Sequence, residues 1–522
     1  MNDVISDGVR VLDQQMVDLW TQYGTTGPHE EQPFVPTAER IQQFERWLTT
    51  FRSQLRRTPA TRPLDSATLH HLSELERALR FRLEDDQAFP FRYIWSATSN
   101  LNDLLWMDQR PLPQRLAVIE RLLGQMDALL QAVLARSGRA RPDAIKQVDA
   151  HLTGLLRAIR TIETQHENGP SSLHQRIAQV YSHVEDVQRQ MENISVVQDP
   201  IQPQPYADRL AMIWAIDVSE LLQWADHEVE RCHERLHAMA HELDPKRSPF
   251  ELLDQELGSC DHPNQLFPLM RDYVATARRA SRDHIHLPKD ETCEVWPVSE
   301  QAKDSFPWGG YNGPNPLSNT RRGAVFVNQH NYRDVTLGWL QMMAIHECYP
   351  GHHAHRVKTI AAQLPTSFKL THIMAPGGPL SEGIAHRSEA LFQNIFDNAA
   401  FPLFVAYRRL HIAVRVKSEL LLHYFGRDID TNVQLYQDYL GFSDPVARGQ
   451  LRFQELWPGY MVIYCYGQKQ IEALQNEIQW PQAAFTEFIF SVGNVGIESL
   501  KTLIHDPQAH DAIRQCHQDQ SR

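Results

Sequence analysis

The chain has 522 residues, of which 42% are hydrophobic and 22% charged; this is the composition of a globular protein and excludes a disordered one. Its net charge of −13 argues against nucleic acids and anionic membranes as partners, because both bind clustered positive charge. The sequence shows no apolar run of membrane-spanning length, no signal-peptide pattern at its start and no paired spacing among its six cysteines. We therefore expect a cytoplasmic protein with reduced thiols.

The first half of the chain is predicted to form long amphipathic helices. Apolar residues recur at helical spacing in residues 69–83, 115–134 and 173–191. Three prolines within residues 199–205 form the best candidate for a linker. We therefore divide the chain into an N-terminal helical region, 1–205, and a second helical region, 206–522, which contains the candidate catalytic residues described below, and we expect the two to form one continuous unit.

The composition changes between about residues 290 and 330. Residues 292–298 and 324–328 read as short strands, and residues 307–316, rich in Gly, Pro and Asn, read as the loop between them. The predicted fold is therefore mainly α, with a small β-sheet beside the helix described next. Such a sheet offers an edge strand to which an extended peptide can add.

Residues 346–353, which read HECYPGHH, follow an apolar helical run that Asp334 or Thr336 can cap. In zinc peptidases a His-Glu pair is followed by a second His at i+4, and the Glu acts as general base. Here Pro350 stands at i+4, and the imidazoles return at His352 and His353. Because Pro and Gly distort helices, we expect a bulge that makes His352 the ligand, with His353 as the alternative.

A carboxylate suited to complete the site follows on the next predicted helix. Ser381 is expected to cap this helix, which places Glu382 in its first turn. Glu382, His386 and Glu389 then share one face, because they follow i, i+4, i+7 spacing. Glu382 is the expected third ligand, and Glu389 or His386 is expected to orient a ligating histidine through its other ring nitrogen.

Three tyrosines lie within residues 460–466, near the carboxyl end of the chain. A tyrosine hydroxyl can donate a hydrogen bond to the oxyanion that develops in peptide hydrolysis. Aromatic residues at such spacing are more often part of the core, so spacing alone leaves both roles open.

Together these segments resemble the domain of unknown function 885 family of bacterial proteins. Residues 346–353 match its HExxPGHH pattern in full, and its other two patterns read EGWAxYxE and PGQAxxYxxG. The residues that match these two are Glu382, Gly383, Ala385, Glu389, Pro458, Gly459, Tyr464 and Gly467. The chain departs from them at Ile384 and Arg387, and at Tyr460 and Met461.

The resemblance covers about residues 90–505 and implies a large helical peptidase-like fold, related to the helical, thermolysin-type (gluzincin) zinc metallopeptidases. It implies a zinc cofactor held by the side chains of His346, His352 and Glu382. In that mechanism the Glu347 side chain is the general base for a metal-activated water, and Tyr464 stabilises the oxyanion.

Arg452, Tyr460 and Asn328 are the candidates for binding the substrate, with Arg452 pairing with a carboxylate. The expected partner is a peptide or a small amide, without nucleic acid or membrane, and a homodimer is left open, as is exo- versus endopeptidase preference. Two alternatives come from other classes: a zinc hydrolase of a non-peptide amide or ester, and a catalytically silent helical binding protein.

Overall fold

Helices form most of the chain, as the apolar spacing predicts, and a small sheet lies beside the candidate site. A computed structural model describes residues 4–23, 33–106, 110–137, 142–167, 169–191, 203–298, 308–317 and 320–518. The mainly α fold with a small β-sheet is therefore confirmed.

Twelve helices precede the sheet in the described residues. They are α1 (Asp7–Gln22), α2 (Ala38–Leu55), α3 (Asp65–Asp85), α4 (Phe91–Trp106), α5 (Leu112–Leu123), α6 (Met126–Ser137), α7 (Pro142–Gln165), α8 (Ser171–Met191), α9 (Pro203–Trp214), α10 (Val218–Leu243), α11 (Pro249–Leu257) and α12 (Leu266–Ser281).

Ten further helices follow the sheet in the described part of the chain. They are α13 (Leu337–Met343), α14 (His352–Ala361), α15 (Gly378–Leu391), α16 (Phe401–Glu419), α17 (Ile429–Leu440), α18 (Asp444–Leu456), α19 (Tyr460–Ile478), α20 (Gln482–Ser491), α21 (Ile497–His505) and α22 (Pro507–Gln518). Within the described residues, no helix is both long enough and apolar enough to cross a membrane.

The sheet has three strands, β1 (Thr292–Pro297), β2 (Gly309–Asn312) and β3 (Arg322–Val327), in the order β1-β3-β2. β1 runs parallel to β3 and β2 runs antiparallel to it. The two predicted strands are confirmed, but the segment that we predicted as a loop contains β2. The Gly, Pro and Asn residues of this segment favour a loop over a strand. β2 forms because it pairs with β3 and not because of its local propensity.

The N-terminal helices pack directly on the C-terminal part of the chain. The Asp13 carboxylate on α1 accepts hydrogen bonds from the backbone nitrogens of Thr366 and Ser367. Ser499 on α21 donates to the Glu74 carboxylate on α3, at 2.6 Å. Residues 199–202 of the predicted linker lie outside the described residues, so the division at residue 205 stays a prediction.

Candidate metal centre

The helix that leads into the site begins and ends as its sequence requires. Thr336 caps α13, and its hydroxyl accepts a hydrogen bond from the Trp339 backbone nitrogen at 3.3 Å. After α13 the backbone widens into a single π-type segment, Ala344–Cys348, and α14 begins at His352. Segments of this type are frequent at functional sites, and here the segment carries both His346 and Glu347.

Gly351 makes the break between the π-type segment and α14 possible. A side-chain carbon at this position would lie 1.8 Å from the His346 carbonyl oxygen, far inside contact distance. Only glycine allows the backbone to come so close. The chain therefore turns sharply enough to place the His352 ring 4.9 Å from the His346 ring, centroid to centroid and nearly perpendicular.

Three side chains converge where the sequence predicted the metal. The Glu382 Oε2 atom lies 3.4 Å from Nε2 of His346 and 3.4 Å from Nε2 of His352. The three ligand atoms lie within 4.8 Å of one another, and in the described residues no other such group of His, Cys, Asp and Glu occurs. Glu382 Oε2 is buried and accepts no hydrogen bond from the part of the chain that the structure describes. A buried acceptor without a donor, facing two imidazole nitrogens, suits a cation at their common centre.

The charges in the cluster also favour a cation. Burial alone would lower the pKa of His346, but the Glu382 and Glu389 carboxylates raise this pKa to about 10. Burial alone would raise the pKa of Glu382, yet His352 and His346 hold it below its usual range. The carboxylates thus stabilise positive charge at this point, and a divalent ion can supply it in place of protonated histidines.

A further polar contact orients each of the three side chains. Glu389 Oε1 lies 2.8 Å from Nδ1 of His346, and Ser381 Oγ lies 3.3 Å from Nδ1 of His352. The Tyr460 hydroxyl donates to Oε1 of Glu382 at 2.6 Å. These contacts leave Nε2 of each histidine and Oε2 of Glu382 directed at the common centre, which is how protein metal ligands are usually held.

The expected role of Ser381 as a helix cap is wrong. α15 begins at Gly378 with Pro379 in its first turn, so Ser381 lies inside the helix. Because proline fits the first turn of a helix, the helix starts about one turn earlier than the serine suggested. The Ser381 hydroxyl therefore faces His352 instead of the helix end.

Of the two residues expected to orient a histidine, Glu389 contacts His346 directly. The Glu389 carboxylate is fully buried, with Nε of Arg408 3.7 Å from its Oε1 atom and Nε2 of His386 3.6 Å from its Oε2 atom. His386 thus lies behind Glu389. Burial, together with Arg409 and Arg408, lowers the pKa of His386 well below its usual value.

His353 points away from the cluster. Its Nδ1 atom lies 3.0 Å from the Tyr311 hydroxyl and its Nε2 atom 2.9 Å from the Glu291 carboxylate. With both ring nitrogens engaged and the side chain fully buried, this geometry favours His352 as the ligand. Sequence reasoning did not find Glu291 or Tyr311, because neither belongs to a motif and each contacts His353 across a long stretch of chain.

Glu347 and Tyr464 lie beside the cluster. Glu347 is half-buried on the π-type segment and is close enough to His346 to help raise its pKa. The Tyr464 ring stacks on the His346 ring at 6.0 Å and 15°. Burial raises the pKa of Tyr464, so its hydroxyl keeps its proton.

The candidates for substrate binding lie in three different settings. Tyr460 holds Glu382, as described above. Arg452 is exposed on α18, and the described residues show no hydrogen bond or ion pair between it and the cluster. Asn328 is fully buried, and its side-chain oxygen accepts from the backbone nitrogens of His330 and Asn331. The structure therefore gives no support for the predicted role of Arg452 or of Asn328 in substrate binding.

Comparisons with known proteins agree with this fold. The chain is similar to "the putative lipoprotein from Colwellia psychrerythraea", at 15% identity and TM-score 0.78 over 98% of this chain and 100% of the other. It is also similar to "a putative lipoprotein of unknown function from Shewanella oneidensis", at 14% identity and TM-score 0.74 over 94% and 98% of the two chains. No curated protein matches the chain. Residues 21–504 match the family described as bacterial protein of unknown function, DUF885, and the chain belongs to this family.

Proposed function

We propose that this protein is a zinc-dependent metallopeptidase that hydrolyses short peptides. The observation that carries the proposal is the convergence of His346, His352 and Glu382 within 4.8 Å, with Glu347 directly after the first histidine. Two imidazoles and one carboxylate are a donor set of catalytic zinc sites, in which a water molecule takes the fourth position. His352, whose side chain is 15% exposed, lies on the more open side of the cluster.

When bound, zinc supplies Lewis acidity, which lowers the pKa of water and polarises a carbonyl group. The protein's own residues provide the remaining chemistry. The Glu347 carboxylate accepts a proton from the attacking water and passes it to the nitrogen of the leaving amine. The protonated Tyr464 hydroxyl donates a hydrogen bond to the oxygen of the scissile carbonyl as negative charge develops there. Tyr460 keeps Oε1 of Glu382 engaged, so that Oε2 stays directed at the ion.

The sheet offers the substrate a backbone partner. β2 pairs with β3 along one edge, and Tyr311 on β2 is tied to His353, the residue after His352. β2 also contacts the π-type segment that carries Glu347, so an extended peptide bound to this sheet would lie near that segment. This placement supports a peptide, more than a small ester, as the substrate.

A digest of a peptide library, read by mass spectrometry, tests the proposal. The purified protein is compared before and after a chelator removes its metal, and again after one equivalent of zinc is restored. We expect cleavage that disappears with the chelator and returns with zinc. Absence of cleavage at full zinc occupancy would overturn the peptidase proposal, and hydrolysis of model amides or esters would then identify the alternative substrate class.

We also propose that the protein is cytoplasmic, which rests on the absence of paired spacing among its six cysteines. The two similar structures are described as putative lipoproteins, so attachment to a membrane is the alternative location. Fractionation of cells that express the full-length gene decides between them, and recovery in a membrane fraction would make the proposed location wrong.

A further inference from the structure

Two cysteines that are far apart in sequence meet directly behind the candidate metal centre. The Sγ atoms of Cys293 and Cys348 lie 3.6 Å apart. Cys293 is on β1, and Cys348 is the last residue of the π-type segment that carries His346 and Glu347. All six cysteines are free thiols in this structure. The pair therefore links the sheet to the backbone that positions the proposed catalytic glutamate.

A groove gives small molecules access to one member of the pair. It has a volume of about 620 Å³ and lies between α12 and β1, where Arg278, Glu291, Cys293 and Tyr349 are among the residues that line it. Cys293 is half-buried, whereas Cys348 is fully buried. A reagent in the groove therefore meets Cys293 first, and Cys348 is within reach to complete a reaction that begins there.

We propose that Cys293 and Cys348 form a modification site at which low-molecular-weight disulfides oxidise the two thiols to a disulfide bond. The Cys293 sulfur attacks one sulfur of the reagent, which breaks the reagent's S–S bond and releases one thiol. The Cys348 sulfur then attacks the Cys293 sulfur of this mixed disulfide and releases the second thiol. The protein loses two hydrogen atoms, and the reagent gains both as two thiols.

This bond would alter the metal centre, and that consequence rests on the proposed function. The sulfur atoms must close from 3.6 Å to about 2.0 Å, which draws Cys348 and the π-type segment toward β1. Glu347 directly precedes Cys348, and His346 lies one residue further back. Since the distances from a zinc ion to its ligands are closely defined, the oxidised protein should hold zinc less firmly.

The test incubates the full-length protein with glutathione disulfide and maps its cysteines by alkylation and mass spectrometry. We expect four of the six cysteines to remain alkylatable, and a peptide pair linked through Cys293 and Cys348 to appear two hydrogen masses lighter than the sum of its parts. Cys293→Ser and Cys348→Ala should each abolish this pair, whereas Cys260→Ala, at a cysteine outside the groove, should leave it unchanged.

A second measurement follows the transfer of zinc to a coloured chelator. The oxidised protein should release zinc at least threefold faster than the reduced protein, and a reductant should restore slow release. Six alkylatable cysteines after oxidation, or a linkage between other cysteines, would overturn the proposed site. A correct linkage in a protein that binds no zinc would uphold the site and overturn the proposed function, so the two failures are distinguishable.

Discussion

Gly383 on α15 and Gly467 on α19 lie against each other where these two helices cross. A side-chain carbon at Gly383 would lie 2.4 Å from the Gly467 carbonyl carbon, and one at Gly467 would lie 1.7 Å from the Pro379 carbonyl oxygen. The backbones therefore approach more closely than any other residue pair would allow. This crossing brings Tyr460 and Tyr464 of α19 against Glu382 and His346, so both glycines act on the candidate site through packing.

Replacing Gly467 with alanine should push α15 and α19 apart. We expect a loss of about 3 kcal/mol or more in the free energy of unfolding, the upper range for overpacking a core, together with weaker metal retention. Denaturant unfolding and metal analysis measure the two effects. Gly449→Ala on α18 is the matched control: it has open space around it, so alanine there should be neutral or stabilising by helix propensity.

The metal content of the purified protein tests the ligand assignment. We expect about one zinc per chain, and His346→Ala or Glu382→Ala should deplete it, because each removes one of the three proposed ligands. Elemental analysis of the protein, before and after chelator treatment, measures this. Unchanged metal in both variants would show that the ion binds elsewhere, and iron in place of zinc would contradict the hydrolytic proposal, because two histidines and one carboxylate also bind iron.

The two adjacent histidines should respond in opposite ways to substitution. His352→Ala should lose zinc with little loss of stability, because this residue is a proposed ligand near the surface. His353→Ala should keep most of the zinc but unfold at a lower temperature, since it leaves the buried Glu291 carboxylate without one of its hydrogen-bond donors. Zinc analysis and thermal unfolding of both variants test this. The reverse pattern would mean that His353 is the ligand.

Acid should destabilise the folded protein through two histidines that hold the end of α20. His355 donates to the Gly493 carbonyl oxygen at 3.1 Å and His517 to that of Ser491 at 2.9 Å. Burial is the main cause that lowers the pKa of each to about 4. The unfolded chain, with histidine pKa values near 6.5, then binds more protons, so stability is full above about pH 6.5 and falls as the pH drops toward 4.

Replacing one of these histidines measures how much it contributes to the loss of stability at acid pH. His517→Gln should remove up to about 3 kcal/mol of the fall in unfolding free energy between pH 6.5 and 4, because glutamine does not titrate. The urea midpoint as a function of pH is the readout. His241→Gln, at an exposed position on α10, is the control for replacing a histidine outside these two contacts. Equal curves for the wild type and His517→Gln would exclude this residue as a cause.

Local sequence patterns predicted those elements whose structure depends mainly on residues close together in the sequence. Apolar spacing indicated the long helices, and Pro350 with Gly351 indicated a distortion, which the structure shows as a π-type segment and a break. Features that depend on contacts between residues far apart in the sequence were not predicted. β2 is stabilised by pairing with β3, and Glu291 meets His353 from 62 positions away in the sequence. A single sequence carries no local signal of such contacts.

Glu347→Gln separates an enzyme from a binding protein with the same fold. The substitution keeps the size of the side chain but removes the base, whose contribution in general-base catalysis is about a hundred- to ten-thousand-fold. Turnover of short peptides should therefore fall at least a hundredfold, while zinc content and melting temperature stay near wild type, because glutamine fills the same space and no proposed ligand is lost. Cleavage rates are compared at equal zinc occupancy, with Glu498→Gln, a carboxylate on α21 paired with Lys501, as the control. Equal rates for Glu347→Gln and wild type would remove Glu347 from the mechanism.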